Sequence, residues 1–281
     1  MANLPRLSLD NYFTPVNARI SNSKVSDYLA SKEYFYKKHI DHTLVEESTD
    51  SLTLGKMVDV ALTAGTTEAI ESEWEVKVLK KDDPEAFERQ KSLDSDCLVS
   101  AGLMEKTKEM AQTIIDSDFY QEDQKKKPVV QLPLEADLEG MAICGIPDQF
   151  FFEERPGNVL QITITDWKTS APSDCQSPER WLWKIREYGY DRQLANYQYL
   201  IQKNLNQLYP RFPGKEIRWV LRHAVIESQK DGRYRVHLYI IDPSVIAESY
   251  FEFRRVVKEI AENLKVGKSA FVDKSESWKD A

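Results

Sequence analysis

Two consecutive β-strand patterns between Gly145 and Ser170 constrain the fold of this chain more than any other segment. Residues 149–152 are largely apolar, and residues 159–165 alternate apolar and polar side chains with the period of two that is typical of a pleated strand. Asp166 and Lys168 continue the apolar face of the second strand, where polar groups are costly unless they pair or bind a ligand. We therefore predict a half-buried strand that ends in an acid and a base.

A turn at Gly157 and Asn158 separates the two patterns and predicts a hairpin that brings Asp148 beside Asp166. Two close carboxylates repel each other unless one takes up a proton or a divalent cation lies between them, and such oxygen ligands suit Mg²⁺ or Mn²⁺. Lys168 is left to orient a water molecule or to neutralise charge on a phosphate. An exposed salt bridge at a strand end would explain the same residues without catalysis.

The chain contains three notable segments in order: 144–148 (Cys-Gly-Ile-Pro-Asp), 166–170 (Asp-Trp-Lys-Thr-Ser) and 190–197 (Tyr-Asp-Arg-Gln-Leu-Ala-Asn-Tyr). Together they resemble the motifs of the PD-(D/E)XK nuclease superfamily. The similarity is greatest to the branch with RecB nuclease domains and lambda exonuclease, and above all to the RecE (exonuclease VIII) type of phage and prophage recombination exonuclease. The resemblance spans about residues 20–267 and implies an α/β (α+β) fold, a restriction-endonuclease-like core with a mixed central β-sheet flanked by helices.

The resemblance implies roles for individual residues. Asp148 and Asp166 would bind Mg²⁺ (or Mn²⁺), and Lys168 would act on the water or the phosphate. A glutamate on the preceding strand commonly points toward the metal in this family; Glu135 fits that role, and Gln131 is the alternative position on the same predicted strand, residues 129–136.

Two residues on a predicted helix complete the implied site. Gln193 and Tyr197 are four positions apart and therefore on one helical face, where the resemblance places them near the scissile phosphate or its water. An amphipathic helix with partly buried tyrosines would show the same spacing.

Asp59 is a departure from the family pattern. Residues 54–59, Leu-Gly-Lys-Met-Val-Asp, resemble a Leu-Gly-x-x-x-His helix in which the histidine helps to bind metal. A carboxylate in place of imidazole keeps a hard ligand and adds negative charge, so Asp59 is a candidate metal ligand together with Glu135. Alternatively, Asp59 is an acidic residue at the boundary of the apolar face of an amphipathic helix and binds no metal.

Composition limits the class of protein. The chain has 281 residues, of which 41% are hydrophobic, and it lacks a basic segment followed by an apolar run. We therefore expect a cytoplasmic protein with no membrane span: an N-terminal arm (1–20), one nuclease domain (helical part 21–127, catalytic core 128–267) and a flexible tail (268–281). Three cysteines at wide spacing predict reduced thiols and are too few for a [4Fe–4S] cluster.

The charge of −8 is the main evidence against a DNA-binding protein, because affinity for nucleic acid comes largely from neutralised phosphates. Residues 176–240 are nevertheless basic, with 12 lysines and arginines against 6 acidic residues. Aromatic residues in the same region could stack unpaired bases or belong to the core. They are Trp181, Trp183, Tyr188 and Tyr190.

Hydrophobic periodicity and capping residues predict the remaining elements. A hairpin turn at 230–232 is predicted between strands 217–226 and 233–241. The predicted helical segments are 22–36, one starting at 50–51, 84–124, one from about 178 to 209, and 243–264.

The resemblance implies a metal-dependent exonuclease of linear double-stranded DNA that acts in phage-type recombination or repair. The resemblance also implies a ring-shaped homo-oligomer and a single-strand annealing protein as partner. A related endonuclease and a catalytically inactive DNA-binding or recombination-partner protein remain as alternatives.

Overall fold

The computed structural model describes residues 19–44, 49–93, 97–228 and 233–272, and it has the predicted mixed α/β fold. Within these residues the strands form a five-stranded, a three-stranded and a two-stranded sheet. The strands are β1 (Arg19–Ile20), β2 (Glu75–Val76), β3 (Leu98–Val99), β4 (Val129–Val130), β5 (Leu134–Leu138), β6 (Met141–Gly145), β7 (Gln149–Arg155), β8 (Val159–Ser170), β9 (Glu216–Glu227) and β10 (Arg235–Ile240).

Helices surround the sheets. In the described part of the chain, none of them is both long and apolar enough to cross a membrane. The α-helices are α1 (Asn22–Ala30), α2 (Lys32–His39), α3 (Asp50–Ala64), α4 (Ile70–Glu73), α5 (Pro84–Gln90), α6 (Ala101–Ile115), α7 (Asp118–Gln124), α8 (Pro172–Cys175), α9 (Pro178–Tyr188), α10 (Tyr190–Leu208) and α11 (Pro243–Val266).

The large sheet has the order β10-β9-β8-β7-β4. Its β7–β8 hairpin confirms the predicted turn, in which Gly157 and Asn158 both have positive φ angles of 81° and 61°. Gln149 is the register partner of Thr165, so the residue before β7, Asp148, lies beside the start of the Asp-x-Lys segment.

Strands β8 and β9 are parallel, and the connection between them contains α8, α9 and α10. A parallel pair needs such a crossover because no tight turn can join two strands that run in the same direction. The pairing sets Asp166 opposite His223 and Lys168 opposite Val225. Strand β10 then returns antiparallel to β9, as predicted for the hairpin whose turn lies outside the described residues.

The two faces of the large sheet are buried against different helices. Leu160, Ile162 and Ile164 belong to a core cluster with residues of α10 and α11, whereas Trp167 and Ala224 belong to one with residues of α3 and α6. This alternation is the predicted period of two, and it sets Asp166 and Lys168 at the end of the first face.

The sequence predicted one strand over 129–136, but the structure interrupts it in the middle. Gln131 has a φ of 47°, a left-handed conformation that interrupts a strand, and Pro133 follows it. Strand β4 therefore pairs with β7 in the large sheet, while β5 pairs with β6 in the three-stranded sheet. Gln131 and Glu135 consequently do not share one strand face.

Several predicted helices are shorter in the structure. The helix predicted from about 178 to 209 is two helices separated by Gly189, whose φ of 68° ends α9. The segment 22–36 likewise breaks at Ser31, and 84–124 contains α5, β3, α6 and α7. At the C-terminus Phe271 is 1% exposed and stacks on Phe35 at 5.9 Å between ring centroids, unlike the loose tail expected there. Residues 1–18 and 273–281 lie outside the described residues.

Candidate active site

Asp148 is tied to the catalytic strand by its side chain. Its Oδ2 accepts a hydrogen bond of 2.7 Å from the backbone N–H of Trp167, the residue between Asp166 and Lys168. Its Oδ1 accepts a bond of 3.3 Å from the amide of Gln131. The hairpin register brings the two acidic motifs together, as predicted, and this backbone bond fixes Asp148 there.

Asp166 is completely buried, and Lys168 is its charged partner. The ammonium Nζ lies 2.5 Å from Asp166 Oδ2 and 4.8 Å from the centre of the Tyr190 ring. Among the described residues, Oδ1 of Asp166 has no hydrogen-bond partner. A buried carboxylate oxygen without a donor is costly, which makes it a candidate ligand for a cation.

His223 is a neighbour of Asp166 that the sequence did not single out. It is fully buried on β9, its Nε2 lies 3.5 Å from Asp166 Oδ2, and Trp181 and Tyr190 contact its ring edge-on. Burial, opposed by the Asp166 carboxylate and aided by the Lys168 ammonium, lowers its pKa to about 4, so the imidazole is neutral. A lone histidine in a strand gives no signal until the parallel register is known.

Asp59 approaches the cluster from α3. It lines a cavity of about 270 Å³ together with Lys168, Trp167 and Tyr190. Burial raises the pKa of Asp59 to about 7, an effect that Lys168 opposes and Asp166 strengthens. The acid in the place of the family histidine thus faces the same space as the Asp-x-Lys segment.

The charges of the cluster act on one another. Burial raises the pKa of Asp148 well above its usual value, and the carboxylates of Asp166 and Asp59 raise it further. For Lys168, burial favours the neutral amine, but the Asp166 and Asp148 carboxylates outweigh it and raise the pKa. Three carboxyl groups therefore act on one ammonium in a desolvated site, where burial and mutual repulsion favour a proton on Asp59 and on Asp148.

Glu135 does not belong to the cluster formed by Asp148, Asp166 and Lys168. Its carboxylate pairs with Arg19 at 2.5 Å, and it lines a different cavity together with Asn204 and Arg254. The interrupted strand explains this difference from the sequence expectation, because β5 belongs to the smaller sheet. Gln131, the alternative position, is the residue of this region that contacts Asp148.

Gln193 and Tyr197 lie on one face of α10, as their spacing predicts, and the Gln193 amide donates a 2.6 Å hydrogen bond to the Tyr197 hydroxyl. They line a second cavity, of about 340 Å³, that also contains the start of α1. Tyr190 lines both this cavity and the one with Lys168. The two cavities therefore share Tyr190 as a common wall.

Comparison with known proteins decides the family. A model of the PD-(D/E)XK nuclease superfamily matches residues 19–276, which is most of the chain. The chain belongs to this superfamily. No curated protein matches it.

One solved structure supports the fold of this PD-(D/E)XK protein. A crystal structure of a "Putative exonuclease" from Eubacterium rectale superposes with a TM-score of 0.58 at 16% identity, over 90% of this chain and 87% of that one. Identity this low shows a shared fold and nothing more. The structure of SSO0001 aligns over 89% of this chain and 94% of its own at 11% identity, with a TM-score of only 0.26.

Nucleases of this superfamily generally use divalent metal ions, and the residues present fit such an ion. The fit rests on the unpartnered Oδ1 of Asp166 and on the carboxylate of Asp148, which is held beside it; both are hard oxygen donors, and Asp59 is a third carboxyl group close enough to affect their charge. Burial, and after it the repulsion between carboxylates, raises the pKa values of Asp59 and Asp148, and a bound cation would offset both effects by stabilising the ionised carboxylates.

The four aromatic residues of the basic segment divide into two groups. Trp181 is 2% exposed and packs on His223 and Tyr239, so it belongs to the core. Trp183 and Tyr188 are 62% and 52% exposed, and Tyr188 stacks on Tyr190 at 5.5 Å. An exposed aromatic surface therefore continues from the cavity wall outward along α9.

Proposed function

We propose that this PD-(D/E)XK protein is a metal-dependent DNA exonuclease that hydrolyses phosphodiester bonds of linear double-stranded DNA, of the RecE type. The observation that carries the proposal is the buried Asp166–Lys168 pair, whose intervening residue, Trp167, donates its backbone N–H to the Asp148 carboxylate. Lys168 and Asp59 line the same cavity. A mere surface salt bridge would be exposed, whereas the Asp166 side chain is fully buried and that of Lys168 is 14% exposed.

The carboxylates would hold the metal. Asp148 and Asp166 supply oxygen ligands for Mg²⁺ or Mn²⁺, and Asp59 is positioned to supply a third. A divalent ion in such a site lowers the pKa of water and offsets phosphate charge. Glu135, held by Arg19, has no part in this proposal.

Lys168 would act on the reacting groups. Its ammonium remains charged because its carboxylate neighbours raise its pKa, so it donates hydrogen bonds and cannot serve as a base at neutral pH. It would orient the attacking water or offset charge that develops on the phosphate. The ring of Tyr190, with Nζ 4.8 Å from its centre, limits where the ammonium can point.

Gln193 and Tyr197 would hold the substrate. Their amide and hydroxyl form one hydrogen-bonded unit in the adjacent cavity, and both are uncharged groups that can bond a phosphate oxygen. The exposed Trp183 and Tyr188 would stack bases of an opened DNA end, beside Lys184, which lies 5.1 Å from each ring centre.

The preference for DNA ends and the phage-type recombination role rest on the resemblance of the three motif segments to RecE-type exonucleases. A ring-shaped homo-oligomer and a single-strand annealing partner belong to the same proposal. The structural neighbour from Eubacterium rectale carries the name of an exonuclease, in keeping with this choice.

The test is hydrolysis of end-labelled linear duplex beside a covalently closed circle, in Mg²⁺, Mn²⁺ or EDTA. Wild-type protein should degrade the linear DNA alone and only with metal, and Lys168→Ala should be slower by about 10²–10³-fold, the usual cost of losing one charge-stabilising donor. Lys91→Ala is the control, because Lys91 pairs with Glu88 on the exposed surface.

Each contrary result has a defined meaning. Equal rates for wild type and Lys168→Ala would overturn the assigned site. Cleavage of the closed circle would identify an endonuclease instead. DNA binding without turnover in either metal would identify a non-catalytic member of the superfamily, in which Asp59 has replaced a needed histidine.

A further inference from the structure

We infer that Cys175, Glu227 and His237 form a second metal site, which binds a transition metal of the zinc class. One ligand atom from each side chain, the thiol sulfur, a carboxylate oxygen and an imidazole nitrogen, lies within 4.8 Å of the others. Cys175 and Glu227 are buried, and His237 has a side chain that is 25% exposed. The three residues come from three different elements, so their convergence is a product of the fold.

The surrounding backbone holds the three ligands in place. Cys175 ends α8, and its carbonyl accepts a hydrogen bond from the Tyr239 hydroxyl of β10. Glu227 ends β9, where the N–H of Ser228 donates to the carbonyl of Ser170 at 2.8 Å. Imidazole and carboxylate already contact each other, with His237 Nε2 3.0 Å from Glu227 Oε2. Metal binding would therefore need only side-chain movement.

The ligand types select the metal. Thiolate, imidazole and carboxylate together suit Zn²⁺, whereas Mg²⁺ and Ca²⁺ take oxygen ligands almost alone. Two ligands of a tetrahedral zinc are roughly 3.5 Å apart, which is within the spread of this cluster. Three protein ligands leave a fourth position for water, and the partly exposed His237 lies on the solvent side.

The cysteine must lose its proton when the metal binds. Burial raises the pKa of Cys175 to about 11, and the charge of Glu227 adds to this, so the metal-free thiol is protonated at neutral pH. Only the thiolate is a metal ligand, and binding therefore releases a proton and strengthens as pH rises.

This site is separate from the carboxylate cluster. Lys168 pairs with Val225, and Val225 pairs with His237, so His237 lies two strands away from Lys168. Two strand spacings are about 10 Å. The ions of a two-metal catalytic site are only about 3.5–4 Å apart, so the second metal would not share the reaction.

A structural role follows from its position. The site joins α8, which begins two residues after β8 ends, to the last residue of β9 and to β10. His237 stacks on Tyr239, and Tyr239 stacks on Trp181, which in turn contacts His223 beside Asp166. A metal here would fix the segment that leaves the catalytic strand.

Cobalt substitution tests the site without any nuclease assay. Full-length protein stripped with a chelator is titrated with Co²⁺, and near-ultraviolet charge-transfer absorption reports a cobalt–thiolate bond. Wild type should show this band at one equivalent and should retain one Zn²⁺ per chain by elemental analysis. Asp166→Ala should retain both signals, because the carboxylate cluster contains no sulfur ligand.

Variants of the ligands complete the test. Cys175→Ser should abolish the band. His237→Gln should weaken zinc binding by more than about 10-fold, because the loss of a residue that only hydrogen-bonds to a metal ligand already weakens metal binding by about that factor. Cys97→Ser, a cysteine outside the cluster, should change neither. Circular dichroism of His237→Gln, whose side chain is partly exposed, checks that folding is intact.

Absence of a charge-transfer band in folded wild type would overturn the inference, as would a band that persists in Cys175→Ser. The cluster would then be a hydrogen-bonded pair beside a buried thiol. Neither result bears on the nuclease assay, because the Lys168→Ala comparison depends on other residues.

Discussion

At the scale of single residues, Asp59 makes the stability of the protein depend on both pH and metal. Its folded-state pKa is raised to about 7 by burial, opposed by Lys168 and reinforced by Asp166, whereas an aspartate in an unfolded chain has a pKa of about 3.9. Between these values the folded state holds a proton that the unfolded state has released, so the metal-free protein loses stability as pH rises from about 4 to about 7. The pKa of Asp148 is raised in the same sense.

A divalent cation should reverse this loss because it binds the ionised carboxylates. We expect the increase in Tm produced by Mn²⁺, relative to EDTA, to be small at pH 5 and to grow up to pH 8. Asp59→Asn should flatten the pH dependence of Tm in EDTA and reduce the Mn²⁺ effect, and exposed Asp82→Asn should change neither. An equal Mn²⁺ shift at pH 5 and pH 8 would contradict the placement of Asp59 beside a metal.

At the scale of secondary-structure elements, a buried ionic network holds α7 on the large sheet. Asp123 contacts the guanidinium of Arg222 and accepts a 2.9 Å hydrogen bond from Gln149, and Arg222 also donates to Thr165 at 2.7 Å. Asp123→Ala would leave the guanidinium buried and unpaired, and we expect it to lower the free energy of unfolding by about 3–5 kcal/mol.

Urea unfolding measures this cost. Glu122→Ala is the matched control, because Glu122 is exposed and pairs with Lys125, so its loss should leave the stability nearly unchanged. The double variant Asp123→Leu/Arg222→Met should recover part of the lost stability, since it removes both charges. Equal stability of the single variant and wild type would mean that solvent reaches this network.

A second element-scale prediction concerns the contact between α10 and β6. A Cβ at Gly145 would lie 2.9 Å from a Leu200 methyl carbon and 3.0 Å from the Tyr197 ring, so α10 approaches the strand only because this residue has no side chain. Gly145→Ala should destabilise the protein by about 1–3 kcal/mol and displace Tyr197. Gly102→Ala, with nothing within 4 Å, should be neutral or slightly stabilising in the same thermal and urea assays.

The elements also show how far the sequence could predict this fold. The alternation of apolar and polar residues over 159–165 predicted strand β8 and the strand face that packs in the core. The Gly157–Asn158 turn predicted the hairpin. Both predictions were possible because the signals are local in the sequence. Glu135 was misplaced because the left-handed φ of Gln131, which is not a glycine, left no mark in the sequence.

His223 is a site residue that the sequence alone could not predict. Its contact with Asp166 depends on the parallel register of β8 and β9, which are separated by three helices. The relation of two distant segments is set by packing of the whole core and cannot be derived from either segment alone. The roles of the candidate site residues remain predictions, although the structure brings most of them together.

At the scale of the whole molecule, the negative charge must be reconciled with a polyanionic substrate. The chain carries −8 overall, while residues 176–240 have twice as many basic as acidic residues. The proposed scissile phosphate would lie near Asp59, Asp148 and Asp166, and each of these residues adds negative charge there once it has lost its proton. A divalent cation held by the carboxylates would attract the phosphate, whereas without the cation they offer it no positive charge and repel it where they are ionised.

This repulsion predicts cation-dependent DNA binding. Fluorescence anisotropy with an end-labelled duplex should give a Kd at least about 10-fold tighter in Ca²⁺, an oxygen-binding cation, than in EDTA at equal ionic strength, a difference of about 1.4 kcal/mol. Asp148→Asn, which removes one ligand of the proposed cation, should respond less to Ca²⁺ than wild type. Salt alone weakens protein–DNA binding by screening, so tightening by a divalent salt cannot come from ionic strength. Equal affinity in Ca²⁺ and EDTA would place the DNA away from the carboxylate cluster and favour a binding role that does not use it.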